Sequence, residues 1–417
     1  MEKIALSPAA AAILGRLEAA GFPAYAVGGC VRDSLLGRPP HDWDVTTAAR
    51  PEQVLALFGD CHPVPTGIAH GTVTLFWQGE AVEVTTFRLD GPYRDHRHPD
   101  TVAFSDRVEE DLARRDFTVN ALAYSPRRGL CDPFGGRADL QSRLIRCVGG
   151  PARRFEEDAL RLLRAVRFAA QLGFAIHPAT AAAMDAAAGL LSGVSGERVL
   201  AEWRRFLPCP GAGALLARFG PLFWAAAPAL CPAGGEEDGW LAAAEAVEAA
   251  PADFPLRLAL LCLAGPEEGA VGRAEALLAR LRPDRRTAGE VTALVAAAHA
   301  PIPRETPALC RLLADRGREG ALRQVALWRA TGRLSEETAE QLTGGLLSLL
   351  ERGVCLTVRE LALSGGDLLA LGAVPGPQVG RLQRALLEGV WAGRAANTRA
   401  SLERLARALL KEEALLP

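Results

Sequence analysis

The sequence predicts an α/β first third followed by an all-helical remainder. Three observations carry this. Residues 1–150 alternate short apolar or β-branched runs with helix-patterned segments. Beyond residue 150 alanine and leucine dominate, which favours helix. After about residue 208 the chain shows helical periodicity and turn signals, with no strand pattern of any length. At 417 residues the chain is long enough for two or more domains with sizeable cores.

Ser7 as N-cap, Pro8 in the first turn and Gly21 beyond the end predict a helix over 7–20. AYAV, 24–27, reads as a buried strand. Gly28-Gly29 makes a turn into a helix start carrying Arg32 and Asp33. The next strand holds Asp42 and Asp44, which share a face because side chains i and i+2 point the same way. Pro51 opens a short helix. GTVTLFW, a Gln78-Gly79 turn and EAVEVTTFR then read as a hairpin, with Glu83 on the opposite face from Val82 and Val84.

Two carboxylates on one strand face repel unless a cation lies between them. Mg²⁺ takes oxygen ligands, commonly one or two carboxylates plus substrate phosphates. The glycine pair admits a ligand close to the backbone, and the helix start behind it offers free N–H groups to an anion. Arg32 adds a forked phosphate donor. Neither GG nor DxD alone means much; GGxxRD followed by DxD on a strand–turn–helix–strand pattern points to nucleotidyl transfer on a bound triphosphate. Glu83 reads either as a third acidic group beside the pair or as a solvated strand carboxylate.

Residues 88–105 read as one long polar loop containing His96 and His98, with no third ligand to make a metal site. Asp111–Ala123 reads as helix. Within it Arg114, Arg115 and Asp116 fit a solvated face, or a nucleotide clamp with Arg115 on phosphate or base and Asp116 on the ribose. CDPFGG closes this domain as a turn.

In ARRFEEDALRLLRAVRFAAQLGF, Leu160, Leu163, Val166 and Phe168 form the apolar stripe. Asp158, Arg161, Arg164 and Arg167, spaced by three, form a charged edge. An exposed ion-paired face explains this edge alone. Beside a triphosphate site it gains another use. Cytosine and adenine both present an amino donor next to a ring-nitrogen acceptor. Asp158 and Arg161 complement that pair and oppose guanine and uracil, whose polar groups would be left unsatisfied. Ser195 marks the start of another helix, and Pro208 its end.

Composition excludes several classes. The net charge is −2, so no global basic signal marks the chain, and Lys3 and Lys411 are its only lysines. Nine scattered cysteines without a CxxC pair argue for reduced thiols in a cytoplasm, against a disulfide framework or zinc site. The N-terminus is an amphipathic helix, not a signal peptide, and no run approaches about eighteen uncharged apolar residues.

GGCVRD with DWD, TGIAHGTVT, VEVTTFR, RRDFTVNALA, DPFGG, EEDALRLLRAVRF and SGERV, in this order over residues 24 to about 205, resemble the tRNA nucleotidyltransferase and poly(A) polymerase family, specifically the bacterial class II CCA-adding enzymes. SGGDLLALG, GPQVG and Asn397 resemble its C-terminal region more loosely. The resemblance implies an elongated, seahorse-like molecule. It would have a catalytic head with a small mixed sheet (1–145), a helical neck for base recognition (146–208), a helical body (209–300) and a tRNA-binding tail (301–417). It implies Mg²⁺ on Asp42 and Asp44, with Glu83 at an acidic position. It implies nucleotide contacts from Gly29, Arg32, Arg115, Asp116, Asp158, Arg161, Arg164 and Arg167. The substrates it implies are CTP, ATP and the tRNA acceptor end, and the 88–105 loop argues for complete CCA addition, since the family uses such a loop when switching from C to A. A CC-only or A-only enzyme, a bacterial poly(A) polymerase and a non-catalytic RNA-binding protein stand as alternatives. Oligomeric state is not legible.

Overall fold

The computed structural model describes residues 3–68, 71–91, 101–232 and 237–413. The chain divides into two compact units, Met1–Ala244 with Ala276–Pro283, and Glu245–Glu275 with Asp284–Pro417.

The first unit begins with α1 (Pro8–Ala19), where the Ser7 hydroxyl accepts the N–H of Ala10 as expected. β1 (Ala24–Val27) is fully buried and leads through Gly28 into α2 (Gly29–Leu35). Then come β2 (Trp43–Thr47), α3 (Pro51–Leu57), β3 (Val64–Gly67), β4 (Thr72–Trp77) and β5 (Glu80–Thr86). Gln78 and Gly79 both take positive φ, 50° and 88°, the requirement of a tight two-residue hairpin turn. Further on lie β6 (Arg88–Asp90), β7 (Val102–Phe104), α4 (Val108–Ala113), β8 (Ala123–Ser125), β9 (Gly129–Cys131) and α5 (Gly136–Gln141).

Seven strands form a mixed sheet in the order β3-β4-β5-β2-β1-β8-β9. Every neighbouring pair is antiparallel except β2 and β5, which run parallel with Asp44 opposite Glu83. Period-two alternation decides the faces. Val45, Val82 and Val84 are fully buried, while Asp44 and Glu83 stay exposed. β3, paired antiparallel to β4, adds a strand beyond the hairpin that the sequence pattern predicts.

Three expectations change. The ends of the 88–105 segment are not loop: β6 and β7 pair as an antiparallel hairpin, with Arg88 opposite Phe104. His96 and His98 lie outside the described residues. Asp111–Ala123 is not one helix. It stops at Ala113, because the Asp116 carboxylate takes the N–H of Phe117 and the backbone turns to pair with the next segment: Thr118 N–H to Arg146 O and Val148 N–H to Asp116 O, 2.9 and 3.0 Å. Thr118–Asn120 follows as a short 3-10 turn.

The third change concerns the charged edge. A two-residue strand β10 (Leu144–Ile145) precedes α6 (Pro151–Glu157) and α7 (Leu160–Leu172), which are separate helices. Asp158 between them is extended, φ −148° and ψ 104°, and its carboxylate accepts the N–H of Leu160 at 3.1 Å. An aspartate that caps the next helix interrupts the one before it. Asp158 therefore does not lie on the helix that carries Arg161, Arg164 and Arg167. After β11 (Ala175–Ile176), which pairs with β10, come α8 (Pro178–Ala187) and α9 (Gly196–Phe206), the latter with Ser195 at its N-cap position.

The second unit is built of helices, among them Phe254–Cys262, Arg285–Ala296, Thr306–Ala330, kinked at Gly317 (φ 65°), and Glu336–Glu351. Buried Trp328 donates to Ala298 O and Trp391 to Cys355 O, at 3.0 and 2.8 Å. Asn397 ties two strands of loop together, accepting from Ala362 N–H and donating to Glu360 O. Among the described residues no helix is long and apolar enough to cross a membrane. All nine cysteines are free.

Candidate active site

The Gly28-Gly29 turn is forced by its surroundings. Gly28 has φ 80°, and a Cβ there would stand 3.0 Å from the Arg115 guanidinium. The turn aims α2 so that Arg32 reaches the open side of the sheet. Its Nε and NH2 fork onto Asp33 at 2.8 and 2.9 Å, and its NH1 donates to Asn120 Oδ1 at 2.7 Å.

Asp42, just ahead of β2, and Asp44 within it are both exposed, with buried Trp43 between them. Among the described residues neither carboxylate is in a salt bridge. Asp44 is accessible to solvent, yet it sits low enough in its cleft that surrounding protein displaces water. That loss of solvent, then the charge of Glu83, raises its carboxyl above the ordinary range; Arg115 opposes the rise and Asp42 adds to it. Among the described residues no three acidic, histidine or cysteine side chains converge to enclose an ion by themselves.

Behind the acidic pair is a buried ionic layer. Asp111, with no exposed side-chain surface, holds Arg114 at 2.8 Å and Arg115 at 3.3 Å. Burial alone would raise Asp111; the two guanidinium groups outweigh it and hold the carboxyl below its usual value. Asp116 has both oxygens engaged. Oδ1 accepts Phe117 N–H and Asn120 Nδ2, and Oδ2 accepts Arg164 at 2.7 and 2.5 Å. Its carboxyl is likewise held low, burial being outweighed chiefly by Arg164.

Arg161 turns toward Glu157 (2.6 Å) and the carbonyls of Arg154 and Arg114. Arg167 pairs with Glu202 of α9 at 3.1 Å, and burial pushes its guanidinium down to about 10, still charged at neutral pH. Asp158 is held by Arg198 of α9, at 2.9 and 3.1 Å.

One cleft of about 820 Å³ gathers ten of the eleven residues singled out from sequence: Gly29, Arg32, Asp42, Asp44, Arg115, Asp116, Asp158, Arg161, Arg164 and Arg167. Glu83 lies beside Asp44 in the sheet but not in the cleft lining. The lining also includes Arg198, Arg205 and Phe168, none of which was assigned to the site from sequence. Arg198 was legible only as part of SGERV, and Phe168 only as an apolar helix position. Eight arginines against five aspartates make the cleft basic in a chain of nearly neutral charge. Such a cleft suits a polyphosphate above an acidic floor.

Comparison with known proteins gives the family. Residues 24–146 match the poly A polymerase head domain, and 173–219 match a probable RNA- and SrmB-binding site of polymerase A. A CCA-adding enzyme of Limosilactobacillus fermentum is 36% identical over 413 residues, 96% of each chain. The Bacillus stearothermophilus CCA-adding enzyme in complex with CTP superposes with a TM-score of 0.79 at 33% identity, covering 98% of this chain and 99% of that one. The Thermotoga maritima CCA-adding enzyme complexed with tRNA shares the fold, with a TM-score of 0.68 at 20% identity and coverage of 97% and 96%. Identity sustained across nearly the whole of both chains places this protein in the family of CCA-adding enzymes.

Proposed function

We propose that this chain adds C, C and A to the 3′ end of tRNA, using CTP and ATP, Mg²⁺ and no nucleic-acid template, and releases pyrophosphate. The observation that carries the proposal is one cleft joining the Asp42–Asp44 pair to the Asp158–Arg161 region. The acidic pair suits Mg²⁺. Among the described residues neither carboxylate is in a salt bridge, loss of solvent and then the charge of Glu83 raise Asp44, and both carboxylates line the cleft. A magnesium ion fills such positions with water and substrate phosphates. When bound, a pair of ions supplies a more acidic attacking hydroxyl and charge stabilisation at the leaving oxygens.

The protein's own groups do the rest. Arg32 and Arg115 donate to the triphosphate, with the Gly28-Gly29 backbone close beside it. Asp116 acts through Arg164, which it holds at the cleft wall. Asp158 accepts the amino hydrogen of cytosine or adenine while keeping Arg198. Arg161 exchanges Glu157 for the ring nitrogen. Glu83 adds negative potential at Asp44.

In this reading residues 1–145 carry the chemistry, 146–208 read the base, 209–300 form the body and 301–417 hold the tRNA. Free cysteines throughout suit a cytoplasmic enzyme. Incubating tRNA transcripts that lack A, CA or CCA with labelled CTP and ATP tests the proposal. Complete repair of all three, stopping at CCA and abolished by chelation, is expected. A product stopping at CC, growth only on the A-lacking transcript, or a long ladder of A overturns it.

A further inference from the structure

Phe168 reads in the sequence as an ordinary core position of α7. In the structure the residue is 8% exposed and lines the cleft. Three guanidinium carbons surround it: Arg167 at 4.3 Å from the ring centroid, Arg164 at 5.3 Å and Arg32 at 5.4 Å. Arg164 and Arg167 are its near neighbours on the same helix. Arg32 comes from α2, more than a hundred residues earlier in the chain. The ring also meets Phe117 edge-on, with centroids 5.8 Å apart and an interplanar angle of 77°.

Arg32 and Arg164 are linked a second way. Arg32 NH1 donates to Asn120 Oδ1 at 2.7 Å, Asn120 Nδ2 donates to Asp116 Oδ1 at 3.3 Å, and Arg164 donates to Asp116 Oδ2 at 2.7 Å. The contacts close into a circuit: Arg32, Asn120, Asp116, Arg164, Phe168 and back to Arg32. Four members hold each other by hydrogen bonds. Phe168 completes the circuit with the negative potential of its π face, which attracts guanidinium groups. Each guanidinium also has a carboxylate partner, Asp33 for Arg32, Asp116 for Arg164 and Glu202 for Arg167. The ring is a contact that all three share.

We propose that Phe168 is a positioning residue for the incoming nucleoside triphosphate: it sets the spacing of Arg32 and Arg164 on the cleft wall before substrate binds. The inference rests on the reading of this cleft as the CTP and ATP site. A leucine fills similar space but offers no π face, whereas tyrosine keeps it.

The test uses the full-length chain as wild type, Phe168→Leu and Phe168→Tyr. Initial rates with tRNA lacking CCA or its final A give KM and kcat for CTP, ATP and tRNA, and thermal melts report folding. For Phe168→Leu, KM for both nucleotides should rise about tenfold, the scale of losing partly desolvated cation–π contacts. Its kcat should stay within about threefold and its KM for tRNA should not move, the pattern of lost ground-state binding. Phe168→Tyr should match wild type in all three. An unchanged nucleotide KM for Leu, equal impairment of Leu and Tyr, or a loss confined to kcat or tRNA binding overturns the inference. Should Leu fail to fold, Phe168→Met fills the site flexibly and is judged by the same criteria. A wild-type chain that adds neither C nor A defeats the substrate reading itself; an active wild type with an indifferent Phe168→Leu defeats only the role of the ring.

Discussion

Arg198 NH2 lies 2.9 and 3.1 Å from the two carboxylate oxygens of Asp158, reaching across forty residues of sequence from α9. Asp158 is extended and sits between two helices, so its backbone alone does not fix its side chain. The Leu160 N–H holds one oxygen, and the guanidinium holds both. Arg198→Ala is therefore expected to lower the preference for C and A over G and U by about tenfold or more, the scale of one charge-assisted hydrogen bond. Single-turnover incorporation of each nucleotide measures it, and unchanged preference would separate Arg198 from base choice.

Asp158→Ala should loosen base choice further, while Asp42→Ala should stop transfer of every nucleotide. For Asp42→Ala a loss of about a thousandfold or more is expected, as the removal of an ion worth several kcal/mol demands. Labelled CTP and ATP on tRNA transcripts read both variants. Full C and A preference in Asp158→Ala, or residual transfer near wild type in Asp42→Ala, would refute the respective roles.

Asp111 and Asp116 both have carboxyls held below the ordinary value by neighbouring arginines. A native value below the unfolded one, about 3.9, contributes stability that is complete above that pH. It is lost as the pH falls through the native value. Urea unfolding from pH 7 to pH 2 should show Asp111→Asn less stable at neutral pH and with a shallower acid slope below about pH 4. Parallel pH profiles for variant and wild type would contradict this.

At Gly136 an added Cβ would stand 2.1 Å from the carbonyl oxygen of Thr118. The Asp132 carboxylate caps the same turn, accepting N–H groups of Gly136 and Arg137 at 2.7 and 2.9 Å. Gly136→Ala should cost about 3 kcal/mol through forced backbone displacement, read by denaturant midpoint. A loss below about 0.5 kcal/mol would mean the turn yields freely.

Local pattern made several elements legible. Ser7 and Pro8 announced α1, the Gln78-Gly79 pair announced the β4–β5 hairpin, and alternation around Asp44 separated exposed from buried positions. The GGxxRD and DxD spacing marked Arg32, Asp42 and Asp44, while Arg164 and Arg167 were singled out through the family resemblance of their motif. What escaped depends on tertiary partners. Asp158 fits helical spacing on either side, so only its cap to Leu160 reveals the break. Asp116 and Phe117 leave helix because Arg146 and Val148 offer backbone partners from a later segment. Nothing near Arg198 in sequence points to Asp158, and Phe168 satisfies an apolar stripe equally well whether it meets leucines or guanidinium groups.

The parallel pairing of β2 with β5 carries a kinetic consequence. The β4–β5 hairpin has a two-residue turn and can zip within about 1–10 μs. Asp44 and Glu83 are about forty residues apart, and their strands can meet only after that much chain has closed on itself. On an elongating ribosome the acidic floor thus waits for β5 to emerge, and substitutions that weaken the β4–β5 edge should delay its assembly before they alter a finished enzyme.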